Sequence, residues 1–510
     1  MTNLALTAFV LAFFMAGFAR PFLLVLAYAY IDIVSPQKIG WGPLGSLSIS
    51  LVAFVLAVVM WAAREDKSGI RLSSRQGLML ALLVYCGLTT LDADFPEQAA
   101  AKWDWVWKAL VFATFLPLTL RTRLRIEALA LIMVLGVSVI TIDGALKTLT
   151  GGGGYGELKL LVDDNTGLYE GSIISTVAIC IIPLAFWLAS YGTIFRPSWL
   201  VRLFAIGVAF SAILMPIGTQ ARTGLICVAV LGLLKLRSTK RRLLYLALIG
   251  LGAAIALPLL PASFTERMST IGNHQSDQSA STRVAVWQWT WEFAKTHPFG
   301  GGFDAFRQDT VSYDKVVTST DGKNTPIGTE HVLEHARAYH SSYFEMLGEQ
   351  GYPGLALWLL LHILGVFQME RIRRRYRNAA PEKSGSAPDA APPDDKAWIS
   401  PLADALQQAQ IVYLVGGSFV GIAFQPFCYM LVGLQCGLAA YVGRLDEAAA
   451  EARRIERLIR RPLIRRPLIR PPSRSATPEP EIALRHPPTA GPLLGDDSAP
   501  AETAPPRLIR

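Results

Sequence analysis

The chain has 510 residues, 52% hydrophobic and only 17% charged, with a formal net charge of +9. Its apolar residues come in blocks near the ~20 residues that a helix needs to cross a bilayer, which excludes an ordinary soluble domain. The blocks are continuous rather than alternating, which excludes barrel strands, and the basic residues gather at block ends and in a tail, which speaks for topology and against nucleic acid as a partner.

In chain order the apolar blocks place spans at 3–19, 21–34, 44–63, 76–92, 105–120, 126–146, 172–192, 200–217, 222–236, 243–260 and 350–369. The first lacks a basic leader and a small-residue cleavage site before Pro21, so it reads as a retained helix rather than a signal peptide. A last stretch, 408–442, is long enough for one steep helix or for two short ones broken near Gln425-Pro426. The expected fold is therefore an all-α polytopic membrane protein of about 12 to 13 helices with one large loop.

The chain divides into an N-terminal transmembrane region (1–146), central helices (147–260), the large loop (261–349), C-terminal helices (350–442) with a linker at 378–398, and a basic Pro/Arg-rich tail (443–510). Linker and tail are too polar and proline-rich to bury a core and read as disordered. The tail repeats Leu-Ile-Arg-Arg-Pro over 458–470, suited either to anionic membrane lipids or simply to the topology signal.

Basic clusters at Arg64/Lys67/Arg71/Arg75, Arg121/Arg123/Arg125, Arg196/Arg202, Lys240/Arg241/Arg242 and Arg371/Arg373/Arg374/Arg375 alternate consistently with the spans. By the positive-inside rule they are cytoplasmic, and the loops 93–104, 147–171, 218–221 and 261–340 face outward. Cys86, Cys180, Cys227, Cys428 and Cys436 all fall in apolar blocks, so packing is expected of them, not a disulfide framework or a thiolate metal site.

Three outward positions carry chemistry. Arg222, in Gln220-Ala221-Arg222-Thr223-Gly224, opens a span whose N-terminal N–H groups and dipole point the same way as the guanidinium, which suits a phosphate; a plain interfacial anchor is the competing reading. Arg283 stands near the start of a segment in which Val284, Trp287 and Trp291 recur at helical spacing, as in an amphipathic helix lying on the bilayer with its Trp residues as anchors. His297-Pro298-Phe299-Gly300-Gly301-Gly302 then ends that helix, and its glycines allow close backbone approach.

His340 is the third. Ser342 followed by Glu345 reads as a capping box, so a helix should begin just after His340 and hold its imidazole at the mouth of the bundle, where a group of ordinary pKa near ~6.5 can take a proton from a hydroxyl. A lone loop histidine is more often structural; the outward company of two arginines is what distinguishes this one. His331-Val-Leu-Glu334-His335 matches the spacing of inverted zinc peptidases, but no third ligand stands out, so a charged helical turn is expected there and no metal.

These residues resemble the O-antigen ligase and polymerase family of bacterial inner membranes. The matching patches are Gln220-Ala221-Arg222-Thr223-Gly224, Arg283 to Trp287 with His297-Pro298-Phe299-Gly300-Gly301-Gly302, and His340 with Gly351 and the Gly351-Tyr352-Pro353-Gly354 turn. Arg20-Pro21-Phe22 and the stretch 35–42 are similar to the N-terminal part of O-glycosylation ligases that accompany exosortase systems. The resemblance implies a glycosyltransferase of GT-C-like architecture in the inner membrane, with its active site on the periplasmic side. It would move a glycan, without metal or other cofactor, from an undecaprenyl-diphosphate carrier to a hydroxyl of an acceptor lipid, protein or glycan. It makes His340 the general base and Arg222 and Arg283 the diphosphate ligands, with Gln220, Thr223, Ser341 and Gly351 in support.

Two other readings stay open. A repeat-unit polymerase would use the same chemistry on a different acceptor. A transporter or flippase for the lipid-linked sugar also suits the many spans, but such proteins carry ionisable residues deep within their helices, which the sequence does not clearly show.

Overall fold

The computed structural model describes residues 2–39, 48–150, 158, 160–162, 167–237, 242, 278–318, 327–379 and 396–460. It is an all-α polytopic membrane protein with one two-stranded ribbon. The chain divides into two compact units, Met1–Ala450 and Glu451–Arg510; of the second only 451–460 is described, and it is helical.

Among the described residues, the helices longer than one turn are, in order, α1 Thr2–Ala19, α2 Phe22–Val34, α3 Ile49–Arg64, α4 Ser74–Leu91, α5 Pro96–Thr119, α6 Arg123–Thr150, α7 Gly171–Tyr191, α8 Trp199–Gly218, α9 Arg222–Arg237, α10 Gln278–Thr296, α11 Ser342–Arg375, α12 Ile399–Gly416 and α13 Pro426–Arg460, and a single turn of helix spans Pro36–Ile39. By length and composition, α6, α7, α8, α11 and α13 can each cross a membrane, and shorter apolar helices occupy Leu4–Ala19, Phe22–Val34 and Ile49–Arg64. Helices form here because hydrocarbon offers no partner for backbone N–H and C=O groups, which the helix satisfies internally.

The packing of their ends shows how they alternate. Arg64 of α3 donates to the Phe18 carbonyl of α1 at 2.6 Å, Arg125 of α6 grips Glu65 at 2.5 and 2.7 Å, and Arg123 donates to the Tyr191 carbonyl of α7 at 2.7 Å. At the same end Arg444 of α13 donates to the Leu120 carbonyl, Arg237 of α9 to Gln407 of α12, and Ser400 to the Arg373 carbonyl of α11. The described basic clusters thus meet at one end of the bundle. The starts of α5, α7, α9, α11 and α13 lie at the other.

Several boundaries differ from the sequence reading. The expected loop 93–104 is helical from Pro96 onward, because Pro at the first helical position sacrifices no intrahelical bond. The stretch 408–442 is two helices, parted at 417–425, and the first starts nine residues earlier, at Ile399. The span expected at 350–369 starts at Ser342 and breaks at Gly351, whose φ of 61° and ψ of −165° are not helical. The helix α13 runs on to Arg460, so the tail begins later than its composition suggested. The expected span 243–260, and the rest of the linker and tail, lie outside the described residues.

Arg75 is not an interfacial charge. It is 3% exposed inside the bundle, where its guanidinium donates to the Leu361 carbonyl at 3.3 Å, to Gln368 at 3.1 Å and to Gln435 at 2.8 Å. Gln435 passes the network to Gln410 and Gln410 to buried His362. Ionisable groups therefore do sit deep in the helices, contrary to the sequence reading, but they are tied to glutamines and carbonyls as buried polar groups in an apolar medium must be. The five cysteines are free and buried, as expected of packing residues.

Candidate functional site

The helix α11 is built in two pieces, and the break at Gly351 positions the site. Its first piece, residues 342–350, ends in carbonyls that no further helical turn can satisfy. The 298–302 turn after α10 fills them: Gly301 N–H donates to the Gly348 carbonyl and Gly302 N–H to that of Glu349, both at 3.0 Å, while Tyr352 N–H donates back to Pro298 at 3.0 Å. A Cβ on Gly351 would lie 2.3 Å from the Pro298 oxygen, and one on Gly300 2.4 Å from that of Glu349. Glycine is required on both sides of this backbone-to-backbone seam.

Charge anchors the same piece from beneath. Lys102 of α5 donates to Glu345 at 2.7 Å and to both oxygens of Glu349 at 2.8 and 2.9 Å. Glu345 also accepts the Ala423 N–H at 3.0 Å, and Glu349 that of Asp304 at 3.0 Å. With side chains 14%, 9% and 0% exposed, these two pairs are close to fully desolvated, the setting in which losing one partner is costly. The expected capping box is absent, because Glu345 is committed to Lys102 and the helix N-cap is Ser341, whose side chain caps nothing. Ser342 instead bridges to another element, donating to the Val420 carbonyl and accepting the Ile422 N–H, both at 3.0 Å.

His340 sits on top of this platform in the left-handed region, with φ 47°. Non-glycine residues rarely hold that conformation, and here neighbours on both sides impose it. Trp287 of α10 donates its indole N–H to the Tyr339 carbonyl at 2.8 Å, and the Ser342 N–H donates to the Gly417 carbonyl at 2.7 Å. Part of the His340 side chain reaches solvent. Desolvation of the rest, followed by the positive charges of Arg283 and Arg337, pushes its pKa down to about 4. The imidazole is therefore neutral, and able to accept a proton, throughout the neutral range.

The structure brings Arg283 within electrostatic reach of His340 and adds Arg337, which the sequence reading passed over. Arg283 lies in the second turn of α10, near its start as expected. That helix buries Thr282, Val286, Thr290 and Ala294, whereas Val284 and Trp291 of the expected apolar stripe are 49% and 51% exposed. Trp287 is no membrane anchor, since it stacks on Phe344 with ring centroids 5.1 Å apart besides holding Tyr339.

Arg222 is the first residue of α9, reached from α8 through a three-residue turn in which Gln220 adopts φ 52°. Thr223 is buried. The end of α12 lies between this turn and His340: a Cβ on Gly416 would meet Thr176 and Cys227 of the α7 and α9 pair, and one on Gly417 would meet Ser342 Oγ at 3.0 Å. Arg222 thus shares the His340 end of the bundle, with the α12 terminus packed against both neighbourhoods. Ser341 is buried beside His340, and Gly351 lies a helix-piece away, at the seam.

The His331 to His335 segment is a strand, not a helical turn. Ile327–His335 (β2) pairs antiparallel with Thr310–Thr318 (β1). At ~3.3 Å per residue the two histidine Cα atoms stand roughly 13 Å apart, too far for one zinc with ligands at ~2 Å. Among the described residues no group of three or more His, Cys, Asp or Glu is placed to hold a metal.

Asp309 leads into β1. It is 1% exposed, accepts the Arg337 N–H at 3.0 Å, and is pushed up to about 6 by burial despite that bond. The segment carrying Arg337 and His340 therefore hangs on a carboxylate thirty residues upstream. Neither Lys102 nor Asp309 carries a local sequence signal.

Residues 1–193 match a family of unknown function (DUF5935). No curated protein matches the chain. Arg222, Arg283, Arg337, His340 and Gly351 all fall between 206 and 359, and that segment matches the O-antigen ligase family. The part of this multi-pass membrane protein that builds the site is thus the part that is similar to the O-antigen ligases, a family of glycan-transferring enzymes.

Proposed function

We propose that this protein transfers a glycan from undecaprenyl diphosphate to an acceptor hydroxyl at the His340 end of the bundle, and that this end faces the periplasm. The observation that carries the reading is a neutral imidazole held in a fixed left-handed turn within reach of a guanidinium. His340 takes the acceptor proton as the oxygen attacks the anomeric carbon. Arg283 and Arg222 bind the diphosphate and neutralise the charge that grows on it as the C–O bond breaks. A diphosphate is already a good leaving group, so the chemistry asks for cations at this point and for no protein acid. Gathering of the basic clusters at the opposite end supports the orientation, since such clusters favour the cytoplasm.

The test is reconstitution with an undecaprenyl-diphosphate glycan and candidate acceptors, with and without chelator. His340→Ala is expected to lower turnover by at least ~100-fold, the usual worth of a general base, with membrane abundance unchanged. Arg222→Lys and Arg283→Lys lose the bidentate grip and should each slow transfer. Full activity in His340→Ala rejects the base, and unchanged turnover in both lysine variants rejects the diphosphate clamp. Accumulated lipid-linked glycan over bare acceptor marks a ligase, whereas single repeats attached without polymer mark a polymerase.

A further inference from the structure

The bundle end opposite His340 carries a second polar recess that the transfer reaction does not use. It lies where α1 turns into α2 and the ends of α3 and α5 meet the start of α6. The recess holds about 1220 Å³ and is lined by Arg20, Arg64, Arg121 and Arg125 against only two acids, Glu65 and Asp66.

The acids are largely spoken for. Glu65 is held by both nitrogens of the Arg125 fork. Arg64 gives its hydrogen bond to the neutral Phe18 carbonyl and so keeps its charge, whereas Arg121 donates to the Asp66 and Ser68 carbonyls and stands 3.7 Å from the Asp66 carboxylate, a loose ion pair. Arg20, from the Arg20-Pro21-Phe22 motif, is exposed and takes no ion pair among the described residues. Four cations against two anions leave a surplus of two positive charges, enough for a bound monoanion.

The remaining walls are apolar, and one of them leads onward. Leu131 of α6 lines both this recess and a second hollow of about 320 Å³ between α6, α7 and α8. Val134, Leu135, Leu188 and Phe204 line that second hollow, which is nearly without polar surface. Leu135 lies ten residues beyond Arg125, roughly 15 Å along the helix at ~1.5 Å per residue. A cationic chamber at the bundle end, with an apolar slot beside it that shares Leu131 and reaches farther along α6, has the chemistry of a headgroup followed by an acyl chain; Glu127, which also lines the slot, is held by the Thr193 and Ile194 N–H groups and the Thr193 hydroxyl. A free anion would fill only the first part.

We propose that this recess is a binding site for an anionic glycerophospholipid, with its phosphodiester between Arg20, Arg64 and Arg121 and one acyl chain against Leu131 and Leu135. It lies at the other end of the bundle from His340, so its occupant is not the glycan donor. That exclusion rests on the reading of the His340 site, but the binding test reads the recess alone, so its failure leaves that reading standing.

Native mass spectrometry of the full chain in neutral detergent, titrated with phosphatidylglycerol, tests it. One retained lipid is expected, and phosphatidylcholine should not compete for it. Each of Arg20→Gln and Arg64→Gln should weaken retention roughly fivefold, as ~1 kcal/mol per basic residue implies. Leu131→Trp, which fills the junction, should weaken it similarly. Arg196→Gln, an exposed arginine that does not line the recess, should leave retention unchanged and so controls for general charge. Arg20 lies on the surface, so its variant keeps the test alive should Leu131→Trp misfold. Equal retention of phosphatidylcholine, or undiminished phosphatidylglycerol binding in the Arg20/Arg64 double variant, overturns the proposal. So does displacement by millimolar inorganic phosphate, which would reveal an anion pocket with no lipid slot.

Discussion

At His340 the same surroundings that keep the imidazole neutral also make it a weak base. Desolvation and the charges of Arg283 and Arg337 hold its pKa near about 4 in the empty site. A diphosphate arriving at Arg283 would cancel much of that positive field and raise the pKa, so the base would gain strength when the donor is present. The sign is testable. Transfer that needs neutral imidazole is complete above the pKa and is lost as pH falls through it, so the acid limb of kcat/KM, which reports the free enzyme, should fall near about 4 rather than at the ordinary ~6.5. The limb of kcat, which reports the donor complex, should lie at higher pH. Arg283→Gln removes one opposing charge and should shift the kcat/KM limb of its residual activity upward. A wild-type limb near ~6.5 that Arg283→Gln leaves in place would remove this account of the imidazole.

The residues of this site differ in how far the sequence exposes them. His340, Arg222 and Arg283 can be singled out in the sequence because each has local context: a glycine at fixed distance, a helix start, a tryptophan-rich segment. Lys102 was invisible because its role depends on Glu345 and Glu349, more than two hundred positions away. The same holds for Asp309, whose meaning comes from one backbone N–H of Arg337.

Among the elements, the two-piece helix α11 carries most of the site's geometry. Its sequence suggested a capping box, yet Ser342 and Glu345 turn outward to bind the 420–423 segment and Lys102, because those partners are buried and a local cap is not needed. Strand β2 was misread for a related reason: in a segment this short the helical spacing of two histidines weighs less than pairing with the β-branched run of β1. The glycine seam, by contrast, was legible in outline, since three consecutive glycines and a lone Gly351 have few uses other than close approach. Gly351→Ala should break it. A side chain at φ 61° and ψ −165°, a region held almost only by glycine, costs on the order of 1–3 kcal/mol, and the contact with Pro298 adds to that, so a total above ~2 kcal/mol is expected. The variant should melt earlier and lose transfer. Gly207→Ala, in a helix interior with open space around the added methyl, should be neutral or slightly stabilising. Equal melting of Gly351→Ala and wild type would show that the seam is not under the strain described.

Over the whole bundle, the all-α polytopic class could be read from hydropathy, because bilayer thickness sets block length directly. What hydropathy could not supply was which helices touch, and hence that Arg75 turns inward while its neighbours Arg64 and Arg71 stay at the surface. The arrangement of ends makes sidedness a question with a simple experimental answer. All five native cysteines are buried, which gives a quiet background for thiol labelling. Ala338 is exposed two residues before His340, and Ser68 is exposed among the basic clusters at the opposite end. In intact cells with a permeabilised outer membrane, a membrane-impermeant maleimide should label Ala338→Cys and spare Ser68→Cys until the inner membrane is broken. The reverse pattern would put His340, Arg222 and Arg283 in the cytoplasm. There they could not meet a donor presented on the periplasmic leaflet, and the proposed reaction would fail together with the orientation.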